Sequence, residues 1–173
     1  MQRDGSSGKK RDQTRAFNRH SAYEYSKHKE RDHRRDGRMS LKAKSNIVRV
    51  KDVNWGTYPN PSEPRDRVHT KTLITQDRCG SKDLTMGILD MPPGDVHILH
   101  HHEGVSQAYY VVAGKARITI GKETVNAEPG LAIHIPAGMK HRIDDIKEKL
   151  FVVWVANVPD FVNKYEKITK WDE

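Results

Sequence analysis

The stretch Gly94-Asp95-Val96-His97-Ile98-Leu99-His100-His101-His102-Glu103-Gly104-Val105-Ser106-Gln107 decides how the chain is read. Successive side chains of an extended strand alternate between its two faces. Over residues 96–102, one face carries Val96, Ile98, His100 and His102, so His100 and His102 project together. His97 and His101 point the other way. The short turn 103–106 leads into a second strand whose matching face holds Gln107, Tyr109 and Val111. Two imidazoles and one amide oxygen can therefore converge across an antiparallel pair.

Further along, Pro136-Ala137-Gly138 punctuates the chain just before His141. His141 can supply a third imidazole from a distant strand. Three neutral nitrogens on a rigid sheet suit Zn, Fe, Ni or Cu better than Mg or Ca. The surrounding sequence has the short period of β-structure. Strands are predicted at 46–53, 68–75, 84–91, 96–102, 107–112, 115–120, 123–127, 131–135, 139–144 and 150–156. Between several of them stand Pro92-Pro93-Gly94, Gly114-Lys115, Gly121-Lys122, Glu128-Pro129-Gly130 and Pro136-Ala137-Gly138. Short strands at such intervals indicate an all-β antiparallel sandwich or barrel. Residues 55–67, with Pro59, Pro61 and Pro64, read as an extended loop. Residues 159–170 place Phe161, Val162, Tyr165 and Ile168 at helical spacing, which predicts one short C-terminal helix packed on the β-domain.

The spacing carries more than the composition. Gly94 is followed after five residues by His100, after one by His102, after four by Gln107 and after six by Gly114. Gly130 is followed after five by Pro136, after one by Gly138, after two by His141 and after three by Asp145. This pattern resembles the two motifs of the cupin superfamily. Every spacing agrees, while Gln107 stands for the family's Glu and Asp145 for its Asn. The likeness covers roughly residues 68–156. It implies a small cupin-type β-barrel or jelly roll, usually a homodimer. It also implies one divalent transition metal (Fe, Mn, Zn or Ni) held inside by His100, His102, His141 and the residue at 107.

Gln107 offers a neutral carbonyl oxygen where a Glu would add a negative charge. A divalent ion would keep its full charge within such a ligand set, act as a stronger Lewis acid and favour an anionic substrate. Gln107 either ligates the metal or hydrogen-bonds a metal-bound water. Tyr109 shares its face; its phenol either serves catalysis by orienting substrate or donating a proton, or is a core aromatic. His134 faces the pocket if Leu131, Ile133 and Ile135 pack outward, and faces water if they form the core. Met139 is read as an apolar pocket wall. His69 and His97 are read as surface or strand-edge residues, and Cys79 as structural or exposed.

The chain has 173 residues and a formal net charge of +8. The excess lies in residues 1–44, which hold 14 Lys/Arg against 6 Asp/Glu; the remainder holds 17 of each. A basic folded domain is therefore not indicated. Residues 1–44 contain few large apolar side chains, so a disordered basic N-terminal tail is expected. It either attaches electrostatically to nucleic acid or anionic lipid, or is a solvated tail or mis-assigned start, with Met39 the alternative. Residues 45–173 are expected to form a single domain. No apolar run is long enough to span a membrane and no secretory signal is visible. One cysteine excludes an internal disulfide, and a cytoplasmic setting fits.

These observations lead to a metal-dependent enzyme acting on a small organic molecule. The resemblance favours dioxygenase-type oxidation, with isomerase or lyase chemistry next. The alternative is a non-catalytic module that binds a sugar or another small ligand.

Overall fold

The computed structural model describes residues 45–60 and 63–172. The basic tail expected over 1–44 lies outside the described residues. The described residues belong to one compact unit, Ala43–Glu173. Its order is a 3-10 turn (Val50–Asp52), β1 (Gly56–Asn60), β2 (Glu63–Ile74), α1 (Gln76–Cys79), β3 (Thr85–Met91), β4 (His97–His102), β5 (Gln107–Ile120), β6 (Glu123–Ala127), β7 (Ala132–Ile135), β8 (His141–Ala156), α2 (Phe161–Ile168) and β9 (Thr169–Trp171).

All strand pairs are antiparallel and curl into the expected barrel of the cupin type. One path of neighbours runs β1-β2-β3-β8-β4-β9, and β5 pairs with β6, β7 and β8. The long strands β5 and β8 make the curl. The C-terminal half of β8 lies between β3 and β5, as in Leu89↔Val152↔Val111. Its first residues lie between β4 and β5, as in His100↔His141↔Ile120. Both strands therefore serve the two walls of the barrel. They bend where the β5–β8 register shifts, between Val111 and Arg117. Gly114 sits at that bend with φ +89, and a Cβ there would run into the Lys149 carbonyl and lie 2.6 Å from Leu150 Cα. Only glycine lets the two backbones approach so closely. On β8, Asp145 takes φ 47, a left-handed conformation that Asp and Asn tolerate better than other side chains.

Inward residues of these strands build the core: Leu89, Met91, Val111, Ile118, Ile135, Ile143, Leu150, Val152 and Trp154 are all buried. A smaller cluster covers the outside of the sheet. Val53 packs there with Leu73 and Ile88, aided by Val48. A register shift between Thr72 and Ile74 breaks the strand alternation at Leu73. α2 lies against the barrel through Phe161, Tyr165 and Ile168, so the short C-terminal helix is present.

Several boundaries differ from the sequence reading. Residues 46–53 hold a 3-10 turn instead of a strand. The proline-rich stretch is not a loop: β1 and the first five residues of β2 occupy it. Pro59 is accommodated because β1 is an edge strand whose register shifts beside it. The pairs 107–112 with 115–120 and 139–144 with 150–156 are each a single bent strand. β9 and α1 had no counterpart in the expectations.

Candidate metal centre

β4 delivers His100 and His102 to the barrel interior, and the first residue of β8 delivers His141 in register with His100. All three are buried. One ligand nitrogen from each lies within 4.8 Å of the others. The ring of His100 lies 4.1 Å from that of His141 and 4.9 Å from that of His102, centre to centre.

Each ring is tied back through Nδ1. His100 Nδ1 donates to the Ile98 carbonyl at 2.7 Å, and His141 Nδ1 donates to the Met139 carbonyl at 2.9 Å. A carbonyl only accepts, so the proton of each ring sits on Nδ1 and Nε2 carries a lone pair. His102 Nδ1 meets the Thr169 hydroxyl at 3.0 Å. The Nε2 atoms of His100 and His141 are buried without a protein partner, and so is Gln107 Oε1. Buried polar atoms are ordinarily hydrogen-bonded. The His100 and His141 nitrogens converge with that of His102, and two orphaned acceptors in such a cluster are what a cation would satisfy. Metal-ligating histidines characteristically donate their other ring N–H to a carbonyl or similar acceptor, as these do. The residues present therefore fit a divalent transition ion.

Electrostatics point the same way. Burial and the neighbouring imidazoles hold His100 well below the ordinary histidine pKa. Burial, then His141 and the other imidazoles, lowers His102 to about 2. Burial lowers His141 to about 4, against the opposing hydrogen bond to Met139. Burial disfavours the charged form of a base, so the rings are neutral and ready to ligate at physiological pH.

Gln107 and Tyr109 stand side by side on the inner face of β5, both buried. Burial raises the Tyr109 phenol above its ordinary pKa, so it stays protonated. Both line a narrow cavity of about 30 Å³ with Val68, Thr70, Leu89, His97, His102, Trp154, Phe161 and Tyr165. Apolar and aromatic groups make up most of the wall, and no Lys or Arg among the described residues lines it. Thr70 donates to the Ile88 carbonyl at 2.8 Å and accepts from Trp154 Nε1 at 3.1 Å, so this part of the wall is satisfied internally.

Some expectations need correction. His97 is not a surface residue: it is 5% exposed, lines the cavity and lies 4.0 Å from the His100 ring. Its Nδ1 bonds the buried Asp66 carboxylate at 3.0 Å. The β4–β8 register shifts between His97 and His100, which breaks the alternation that had put them on opposite faces. Met139 does not wall the cavity; it is 37% exposed and its side chain lies beside Gly121. His134 faces water, because Leu131, Ile133 and Ile135 belong to the core. His101 points away from the triad and bonds Asp172 at 2.7 Å. Cys79 is half-buried in α1, outside the centre. The sequence reading missed Asp66, Thr169 and Trp171. Asp66 and Thr169 reach the site through partners 31 and 67 residues away, and no local spacing signals that.

Comparison with known proteins places this geometry in context. A family model described as a cupin domain matches residues 87–156. An uncharacterized protein of Streptomyces coelicolor is 30% identical over 79 residues, covering 46% of this chain and 74% of that protein. The tetracenomycin polyketide synthase protein TcmJ of Streptomyces glaucescens is 25% identical over 76 residues, covering 44% of this chain and 51% of that protein. Among solved structures, a predicted oxalate decarboxylase from Thermotoga maritima has 21% identity and a TM-score of 0.57, covering 65% of this chain and 98% of the other. KdgF from Halomonas sp. has 20% identity and a TM-score of 0.55, covering 69% and 97%. At these identities the solved structures speak to the fold.

Proposed function

The chain belongs to the cupin superfamily, and on that premise we propose that it is a metal-dependent enzyme oxidising a small organic molecule by dioxygenase-type chemistry. The observation that carries the proposal is the cluster of ligand nitrogens of His100, His102 and His141, whose member His102 lines a mostly apolar cavity together with Gln107, its side-chain oxygen orphaned. A divalent ion in this set supplies Lewis acidity and, where it is iron, a redox couple for dioxygen.

The chain's own groups fix what can react there. His100, His102, His141 and Gln107 are all neutral donors, so none cancels the charge of a divalent ion. A substrate that brings its own anionic oxygens, such as an enolate or a diolate, balances that charge. The walls from Val68, Leu89, Trp154 and Phe161 are apolar and the space between them is narrow, which favours a small, largely apolar body. Tyr109 keeps its proton and donates a hydrogen bond to an oxygen of the bound molecule. His97 donates its Nδ1 proton to Asp66, which fixes the orientation of its ring beside the cavity.

A homodimer, as the family resemblance implies, would find an apolar surface in Tyr110 and Val112 on the outer face of β5, which are half-exposed. Among the described residues, no helix is long and apolar enough to cross a membrane.

The experiment is an oxygen-uptake screen over small enols and catechols, with protein purified without a histidine tag. Uptake that chelator abolishes and added metal restores is expected. Saturable binding of the same compounds with no uptake and no other turnover would replace the enzyme by a small-molecule-binding module.

A further inference from the structure

We propose that Thr169 is the positioning residue for His102, so that the C-terminal segment beyond the matched family domain completes the metal centre. The inference rests on the metal-binding reading above. The cupin-domain match ends at residue 156, and α2 and β9 follow it. β9 adds itself to the edge of β4 in the register His100↔Trp171, His101↔Lys170 and His102↔Thr169. Two backbone bonds flank this pairing: Glu103 N donates to the Ile168 carbonyl at 2.8 Å, and Asp172 N to the Leu99 carbonyl at 2.9 Å. The Asp172 carboxylate reinforces it by bonding His101 Nδ1 at 2.7 Å and Lys140 Nζ at 2.9 Å.

The three histidines are not held alike. His100 and His141 each bond a carbonyl two residues earlier, so their orientation is a local property of β4 and of the entry to β8. His102 instead depends on Thr169 Oγ1, 67 residues away. Thr169 is itself buried. A carbonyl fixes the imidazole tautomer, but a hydroxyl can accept or donate. Thr169 therefore sets the angle of the ring, and Nδ1 must act as donor whenever Nε2 ligates. The same segment packs aromatic rings around the centre. Phe161 and Tyr165 lie 5.1 and 5.9 Å from His102, and Trp171 lies 5.4 Å from His100. One ligand of three is thus positioned by a strap that lies beyond the matched residues.

The test titrates cobalt(II) into the chelator-stripped full chain against a competing chelator and records the visible spectrum. Thr169→Val keeps the branched shape and removes the hydroxyl. It should weaken cobalt binding about tenfold or more and shift the visible bands, as loss of a partner behind a ligating histidine does. Thr169→Ser should restore both, and Lys170→Ala, an exposed change in the same strand, should alter neither. If the valine is not accommodated, Thr169→Ala against Thr169→Ser gives the same contrast. Wild-type affinity and spectrum in a variant lacking the hydroxyl would overturn the role of Thr169 and leave the metal reading intact. Absence of cobalt binding by the wild type would overturn both.

Discussion

Acid should unfold the metal-free protein far more readily than its surface charges alone would. The perturbation is a drop from about pH 7 to about pH 4.5 after the metal is stripped. In the unfolded chain, histidine takes up a proton near pH 6.5. In the folded chain His102 and His141 are lowered to about 2 and about 4, chiefly by burial. The unfolded state therefore binds protons first. The contribution of these groups is whole above about pH 6.5 and is lost as the pH falls toward the folded values. At about 1.4 kcal/mol per pH unit, each costs about 2.5 kcal/mol by pH 4.5, or about 5 kcal/mol together. His100 shifts in the same direction. That loss is comparable to the whole stability of many domains, which lies at about 5–15 kcal/mol. Urea unfolding followed by tryptophan fluorescence at the two pH values measures it. His102→Gln, which cannot titrate, should show a pH dependence smaller by about 2.5 kcal/mol. A wild-type difference below about 1 kcal/mol would refute the burial of three neutral imidazoles.

Other perturbations have equally definite outcomes. Gln107→Glu should raise metal affinity in a chelator competition, because a carboxylate attracts a divalent ion strongly in a partly dry pocket; reduced stability with no gain in affinity would mean that Gln107 points away from the ion. Asp66→Ala leaves the His97 and Ile98 N–H groups without their carboxylate; it should cost about 3 kcal/mol in urea unfolding while metal content is retained. Gly114→Ala forces a Cβ against the backbone of β8 at positive φ; it should cost about 2 kcal/mol or more, read as a fall in thermal midpoint of about 4 °C or more.

Strand alternation, a local rule, places His100 and His102 together, whereas His141 was found through spacing that resembles the cupin motifs, since the β4–β8 pairing that brings it to His100 is long-range. The helix was legible from Phe161, Val162, Tyr165 and Ile168, which keep one period over its two turns. What escaped depends on departures from those rules or on long-range pairing. His97 is three residues before His100, an odd interval that alternation sends outward; the register shift turns it in. β9 is three residues long and follows the helix directly, too short for a period of two to show against the helical one. Gly114 looked like a turn, yet its positive φ serves a bend inside one continuous strand. Asp66 lies in a stretch whose prolines suggested a loop, and only the pairing of β2 with β1 and the bridge from Asp66 to Val96 reveal it as strand.

The central claim is that His100, His102 and His141 hold one divalent ion and that His101, one residue away, does not. Elemental analysis of the untagged chain and of three alanine variants tests it most directly. The geometry predicts about one ion per chain in the wild type and in His101→Ala, and severe loss in His102→Ala and His141→Ala. Equal loss from His101→Ala and His102→Ala, or a wild type that carries no ion and takes up none, would contradict it.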